Sequence, residues 1–327
     1  MKKLQFVILL ILSLGINATG QPNIIFDTDF GGDADDLGAL AMLNHFVNSK
    51  ECNLLAVMVC TTEEYAVPAI DAVNTFYGNP EIAIGVRKDG KYYEPWNYSK
   101  PIADAYKHND AYDSAPESTS LYRKILSESE DTSIIIVTVG PLKNIDNLLS
   151  SVPDSLSPLA GKDLVKAKVK EFVIMGGHYP TGKNEWNFNG NMPGVARRVV
   201  ESIPVPIVFS GYELGLAIRT AKVFNRLDKH HPLHIGYLHF SANAPWMKER
   251  YKGQILDNAS YDQTAVLYAV RNGVGNYWDK VAGVCLPDDK GGNSWMQKTV
   301  ANHSYLKLKV DGDELAKLID DLMLGDL

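Results

Sequence analysis

Apolar runs of β character alternate with stretches of helical period along most of this 327-residue chain. The pattern predicts strands over Asn23–Asp29, Leu54–Thr61, Ile82–Val86, Ser133–Val139, Phe172–Met175 and Pro206–Ser210. Between them it predicts helices over Leu37–Val47, Val67–Tyr77 (stopped by Gly78 and Pro80), Ser118–Leu126, Leu142–Leu149 and Gly194–Ser202. Strands such as Ser133–Val139 are apolar at nearly every position, which requires cover on both faces and so implies a parallel sheet with helices on each side. The C-terminal third is less regular. Lys222–Leu238 and Gln263–Arg271 read as helices, Tyr305–Val310 alternates as an edge strand does, and Asp313–Leu324 reads as a closing helix. The expected fold is therefore a single-domain α/β structure: an open, mostly parallel, Rossmann-like sheet flanked by helices, with an irregular helical C-terminal part. In such sheets ligands sit at the carboxyl ends of the strands.

The first twenty residues fall outside this pattern. Lys2 and Lys3 precede an apolar run, Phe6–Ile16, and the small residues Ala18-Thr19-Gly20. That is the form of a signal peptide, with cleavage expected before Gln21, and the run is short of the ~20 residues a membrane span needs. Residues 1–20 are thus expected to be removed, 21–327 to form the domain, and the protein to be secreted, in the periplasm. The net charge of −7 opposes a nucleic-acid partner, whose phosphates need a basic surface, and gives no sign of membrane binding. An uncharged small molecule suits it better. Cys52, Cys60 and Cys285 are an odd number with neither disulfide-framework nor zinc spacing, and are read as buried thiols.

One segment stands out chemically. Asp27-Thr28-Asp29-Phe30-Gly31-Gly32-Asp33-Ala34-Asp35-Asp36 runs from the first strand through a turn into a helix, with five carboxylates in ten residues. Two such charges ~4 Å apart repel by about 4 kcal/mol at an effective dielectric of ~20. No Lys or Arg lies between Lys3 and Lys50 to offset them, so a bound cation is the simplest counter-charge. All-oxygen donors favour Ca²⁺, with Mg²⁺ second, over zinc. Helix capping accounts for one of these acids but not for five. An EF-hand fails at its twelfth position, Gly38, and a dinucleotide loop fails for want of G-x-G-x-x-G.

Here the chain resembles the inosine/uridine-preferring nucleoside hydrolases, whose first strand ends in D-x-D-x-G-x-D-D before an A-L-rich helix. Asp27-Thr28-Asp29-Phe30-Gly31 and Asp35-Asp36-Leu37-Gly38-Ala39-Leu40 match it, with two extra residues between. Asp33 stands where the shorter form has its first paired acid, while Asp35 and Asp36 keep the continuation into the helix and are preferred. Three more segments match in order: Val139-Gly140-Pro141-Leu142-Lys143-Asn144, Met175-Gly176-Gly177 with Glu185-Trp186-Asn187 (family E-F-N), and Tyr261-Asp262-Gln263-Thr264-Ala265-Val266 (family H-D-P-x-A-V).

The resemblance implies a nucleoside-hydrolase-like fold and hydrolysis of the N-glycosidic bond of ribonucleosides. It implies that Asp29, Asp36, Asp262 and the Val139 carbonyl hold Ca²⁺, that a calcium-bound water is activated by Asp29, and that Asp35 accepts from a ribose hydroxyl. Glu185 and Asn187 would hold the ribose, with Asn184 a candidate beside them. Trp186 would line the substrate site. Tyr261 takes the place of a histidine thought to assist departure of the base, as donor or stacking partner. Trp246 is read as core and His108 as a surface residue. Family members are often dimers or tetramers, so a homo-oligomer is within expectation. Two rival readings remain. A haloacid-dehalogenase-type phosphatase would use Asp27 as nucleophile and Asp29 as acid, with Thr138 and Asp288-Asp289 forced into its later motifs. A non-catalytic periplasmic nucleoside- or sugar-binding protein would need no chemistry.

Overall fold

The computed structural model describes residues 20–271 and 276–326. The expected leader therefore lies, up to its last residue, outside the described residues. The strands in chain order are β1 (Asn23–Thr28), β2 (Asn53–Val59), β3 (Ala83–Val86), β4 (Ile134–Thr138), β5 (Val169–Met175), β6 (Thr181–Gly182), β7 (Ile207–Ser210), β8 (Arg219–Thr220), β9 (Asn258–Ala259), β10 (Trp278–Pro287), β11 (Asn293–Gln297) and β12 (His303–Leu308).

Among the described residues ten of them form one sheet in the order β3-β2-β1-β4-β5-β7-β12-β10-β11-β6, and β8 pairs with β9 separately. From β3 to β12 every pairing is parallel. The last three, β12-β10-β11-β6, are antiparallel. β1 is central and fully covered. Ile24 and Phe26 point into one apolar core, Ile25 into the other, and all three are 0% exposed. This is the two-faced burial that continuous apolar strands demand. The sheet's carboxyl end at β1, β4, β5 and β7 is where the acidic segment and the Met175-Gly176-Gly177 turn emerge.

The helix Asp35–Asn48 places two acids in its first turn, at the positive end of its dipole. Leu37 to Leu43 are buried on every side, so this helix lies inside the fold. It packs against the helices Tyr261–Arg271 and Gly312–Leu324. Gly38 allows the approach, since a Cβ there would stand 2.4 Å from Gln263 Nε2 and 2.5 Å from Tyr237 Oη. That packing brings Asp262 to Asp35 and Asp36.

The C-terminal third departs from expectation in two places. Lys222–Leu238 is not one helix. A 3-10 turn over Lys222–Arg226 is followed by a break and the helix Pro232–Asn243. Pro232 at the first helical turn cannot continue a helix from before it, and His231 Nδ1 accepts from Leu233 N–H as the new cap. Tyr305–Val310 is not an edge strand either. β12 lies between β7 and β10, with Tyr305 buried in one core and Leu306 in the other, and exposure begins only at Lys307 near its end. β10 and β11 were not legible as strands. The three cysteines are free and buried. Among the described residues no helix is long and apolar enough to cross a membrane.

Candidate active site

Asp35, Asp36 and Asp262 each offer a carboxylate oxygen such that all three lie within 4.8 Å of one another, and all three are buried. Asp35 Oδ2 accepts from the backbone N–H of Asp262 at 3.3 Å, which ties the two helix starts together. Thr28 Oγ1 donates to Asp36 Oδ1. Burial first, and then the neighbouring acids, push all three carboxyls well above their ordinary range. Among the described residues no Lys or Arg pairs with them. Three buried acids with only oxygen donors around them fit a hard dication, since a charge buried without a partner is too costly to keep. The residues present therefore fit the metal that the sequence pattern implies, but Asp35, expected to bind only the ribose, stands in the closest group with Asp36 and Asp262, and Asp29, expected as a ligand, stands outside it.

Asp29 stands beside this group. It is half-buried, and its charge bears on both Asp36 and Asp262. Burial raises its carboxyl to about 6, against the lowering effect of the Trp186 indole. Trp186 Nε1 donates to Asp29 Oδ2 at 2.9 Å, although Trp186 itself is 54% exposed. Gly140 leaves room for Asp29, because a Cβ there would lie 2.8 Å from Asp29 Oδ1. Asp33 borders Asp35, whose carboxyl it helps to raise after burial. Its Oδ1 accepts from Asn258 Nδ2 at 2.6 Å and from Ala34 N–H at 2.7 Å.

Asn187 joins two strand ends, donating from Nδ2 to the carbonyls of Val139 at 2.8 Å and Met175 at 3.1 Å. The Val139 carbonyl keeps its second lone pair. Glu185 is buried and accepts three backbone N–H groups, from Gly177 at 2.8 Å, Asn187 at 3.0 Å and Phe188 at 3.1 Å. It caps the short helix Trp186–Asn189 and holds the Gly177 turn. Burial outweighs those bonds and raises its carboxyl to about 7. Asn184 is exposed, with φ of 52°, and its Oδ1 accepts from Asn189 Nδ2, so its side chain is spent within its own loop.

Tyr261 immediately precedes Asp262. Its ring stacks on Tyr212 at 5.1 Å and 22°, and Tyr212 in turn meets the exposed His178 at 5.6 Å. Burial raises the Tyr261 hydroxyl, followed by the Tyr212 hydroxyl and then Asp35 and Asp33 beside it. Tyr212, which stacks on Tyr261, is a neighbour of the site candidates that the sequence reading missed. It follows directly on β7 and Gly211, so the strand-end rule had pointed there. Thr28 and Asn258, which position Asp36 and Asp33, gave no signal in the sequence. Trp246 is 54% exposed and packs edge-on to Trp96 at 5.1 Å, so its expected place in the core is corrected: the turn that carries it lies on the surface. His108 is exposed.

The phosphatase reading fails on Asp27. It is 0% exposed, and its Oδ2 accepts from Tyr122 Oη at 2.8 Å and Asn144 Nδ2 at 2.9 Å. A buried acid that braces the sheet cannot attack a phosphate. Asp288 closes a turn by accepting from the Lys290 and Gly292 N–H groups, and Asp289 pairs with Arg197 at 3.1 Å.

Residues 24–313 match the family model described as inosine-uridine preferring nucleoside hydrolase. No curated protein matches the chain in sequence. Among solved structures, the chain is similar to a plant nucleoside hydrolase at 16% identity and a TM-score of 0.67, covering 92% of this chain and 98% of that one. It is similar to a purine-preferring ribonucleoside hydrolase from Gardnerella vaginalis at 15% identity and a TM-score of 0.68, covering 93% and 98%. An inosine-guanosine nucleoside hydrolase gives 17% identity and a TM-score of 0.65, covering 93% and 99%.

Proposed function

The chain belongs to the inosine-uridine preferring nucleoside hydrolase family and acts on ribonucleosides as an N-ribohydrolase; from that premise we propose how its residues divide the work. The observation that carries the reading is the convergence of Asp35, Asp36 and Asp262 within 4.8 Å, with Asp29 alongside. Asp35, Asp36, Asp262 and the Val139 carbonyl would hold a hard dication, Ca²⁺ before Mg²⁺. When bound, that ion neutralises the buried acids and binds hydroxyl oxygens as a Lewis acid.

The protein's own groups do the rest. Asp29 is the base that takes a proton from the attacking water. Half-buried beside the buried acids, its carboxylate is open to a water. Trp186 fixes the carboxylate's orientation through its indole N–H. Asp35 would also accept from a ribose hydroxyl. The bond from C1′ to the base breaks through an oxocarbenium-like state, and the surrounding carboxylates stabilise the positive charge that develops on the sugar. Glu185 and Asn187 hold the turn and strand ends that would shape the ribose pocket.

The test is product analysis. Inosine and uridine incubated with the protein should give ribose and free base in equal amounts, and Asp29→Ala should lose this while keeping its fold. Absence of ribose from every nucleoside in a broad panel overturns the reading. The Lys2-Lys3 start and apolar Phe6–Ile16 run support secretion to the periplasm, which the N-terminal residue of the mature protein would check.

A further inference from the structure

The segment that leads to Glu185, Trp186 and Asn187 is gripped at both ends by the hairpin of β10 and β11. At one end Asn293, the first residue of β11, is 5% exposed and binds the backbone of His178 twice. Its Oδ1 accepts from His178 N–H at 2.9 Å, and its Nδ2 donates to the His178 carbonyl at 3.1 Å. At the other end the Gly291 carbonyl accepts from Glu185 N–H at 2.9 Å. Between the two, β6 pairs with β11, with Gly182 opposite Asn293 and Thr181 opposite Ser294.

The hairpin tip is itself preformed. Asp288 Oδ1 accepts from Lys290 N–H at 2.7 Å and from Gly292 N–H at 2.9 Å. Gly291 has φ of 79°, and a Cβ there would stand 2.9 Å from the backbone N of Asn189, so the tip lies directly against the helix Trp186–Asn189. The Asn293 amide offers one donor and one acceptor, as a backbone unit does, and so acts on His178 as one more strand residue would. His178 follows Gly177, which gives its own N–H to Glu185 Oε2 at 2.8 Å. The position of His178 is thus passed to Glu185 through a single turn.

We propose that Asn293 is a positioning residue for the hydrolysis: through His178 and Gly177 it fixes the Glu185 segment, and so sets Trp186 against Asp29. The inference rests on the ribohydrolase reading above and extends the same site to β11. The acids Asp35, Asp36 and Asp262 meet where two helices start, and the Asp262 N–H bond to Asp35 ties those starts together. The bond from Trp186 to Asp29 instead joins the acidic segment to the segment that the hairpin grips. Glu185 still caps the short helix when the Asn293 amide is removed, because its carboxylate accepts from Asn187 and Phe188 within that helix. What changes is where the helix stands. His178 is exposed, so water can serve its N–H and carbonyl in a variant, and the segment shifts without unfolding the protein.

The experiment is a double-mutant cycle on the calcium-loaded full protein, reading kcat for inosine and uridine in Asn293→Ala, Trp186→Phe and the two combined. Asn293→Ala should lower kcat about threefold or more, within the range of coupling inside one hydrogen-bond network. In the Trp186→Phe background the same change should lower it less than about twofold, because the bond it acts through is already gone. Calcium affinity should stay as in the wild type. Asn293→Asp keeps the side chain's shape and its acceptor for His178 N–H, and carries the same cycle if the alanine variant does not fold. A kcat unchanged by the Asn293 substitutions overturns the inference, as does a loss of equal size with and without the Trp186 indole, or one that tracks a fall in calcium affinity. Each of these leaves the ribohydrolase reading standing. Wild-type protein that releases ribose from no nucleoside sinks both.

Discussion

Trp186 donates its indole N–H to Asp29 Oδ2 across 2.9 Å, although the two lie 157 positions apart in the chain. The family's pattern has Phe at this place, which has nothing to donate. Trp186→Phe should therefore leave Asp29 free to rotate. A hydrogen bond to a charged group is worth about 1.5–3 kcal/mol, so kcat should drop roughly tenfold or more. KM and melting temperature should barely move, because Trp186 is 54% exposed and contributes little packing. Steady-state kinetics beside a thermal melt checks both. A drop in melting temperature that accounts for the lost rate contradicts the assignment.

The buried acid triad makes a separate prediction. Asp36→Asn or Asp262→Asn removes one charge from three carboxylates within 4.8 Å of each other. Calcium affinity, measured by titration calorimetry, should fall by about a hundredfold or more, and activity at low calcium should fall with it. The metal-free variants should be at least as stable as the metal-free wild type, since each relieves repulsion between buried like charges. A variant destabilised without metal and unaltered in calcium affinity would mean the triad is structural.

Stability should depend on pH in opposite senses with and without metal. Burial raises Asp27 to about 7 and Asp29 to about 6, and raises Asp33, Asp35, Asp36 and Asp262 as well. A carboxyl raised in the folded state stabilises it below the unfolded value, near ~3.8, and that contribution is lost as pH climbs through the folded value. In excess EGTA the melting temperature should therefore fall by several degrees or more between about pH 5 and pH 8. Calcium should add most stability at the upper end of that window, where the acids are ionised. Scanning calorimetry across the window decides it, and an EGTA-treated protein that gains stability with pH contradicts the premise.

How much of this was legible beforehand varies with the element. The parallel half of the sheet showed itself because strands such as Ile134–Thr138, buried at every position, leave no other arrangement. The acidic segment showed itself because five carboxylates without a counter-charge are hard to explain otherwise. The antiparallel half stayed hidden. β10 carries exposed and half-buried positions in no steady alternation, so neither of the two standard periods fits it. Within the site, Asp35, Asp36 and Asp262 meet through helix packing at Gly38, and the Asn187 and Trp186 bonds cross between distant loops. The residue types were visible in the chain, but their partners depend on tertiary contacts that no local pattern encodes.

Gly140 tests the tightness of that packing. A Cβ there would lie 2.6 Å from Cys60 Sγ and 2.8 Å from both the backbone N and Oδ1 of Asp29. Gly140→Ala should destabilise the fold by about 1–3 kcal/mol, the usual cost of overpacking. It should also cost activity out of proportion, because Asp29 must move. Adding Cys60→Ala should recover part of the stability, measured by denaturant unfolding, and little of the rate. Full recovery of the rate would show that Asp29 had never been displaced.

The central claim is that a hard dication held by the buried acids is required for ribonucleoside hydrolysis. The direct measurement is ribose release by protein stripped of metal, with bound metal quantified, followed by stepwise return of calcium. Release should vanish on stripping and return in proportion to the calcium bound, saturating near one ion per chain. Undiminished release from protein shown to carry no metal would contradict the account.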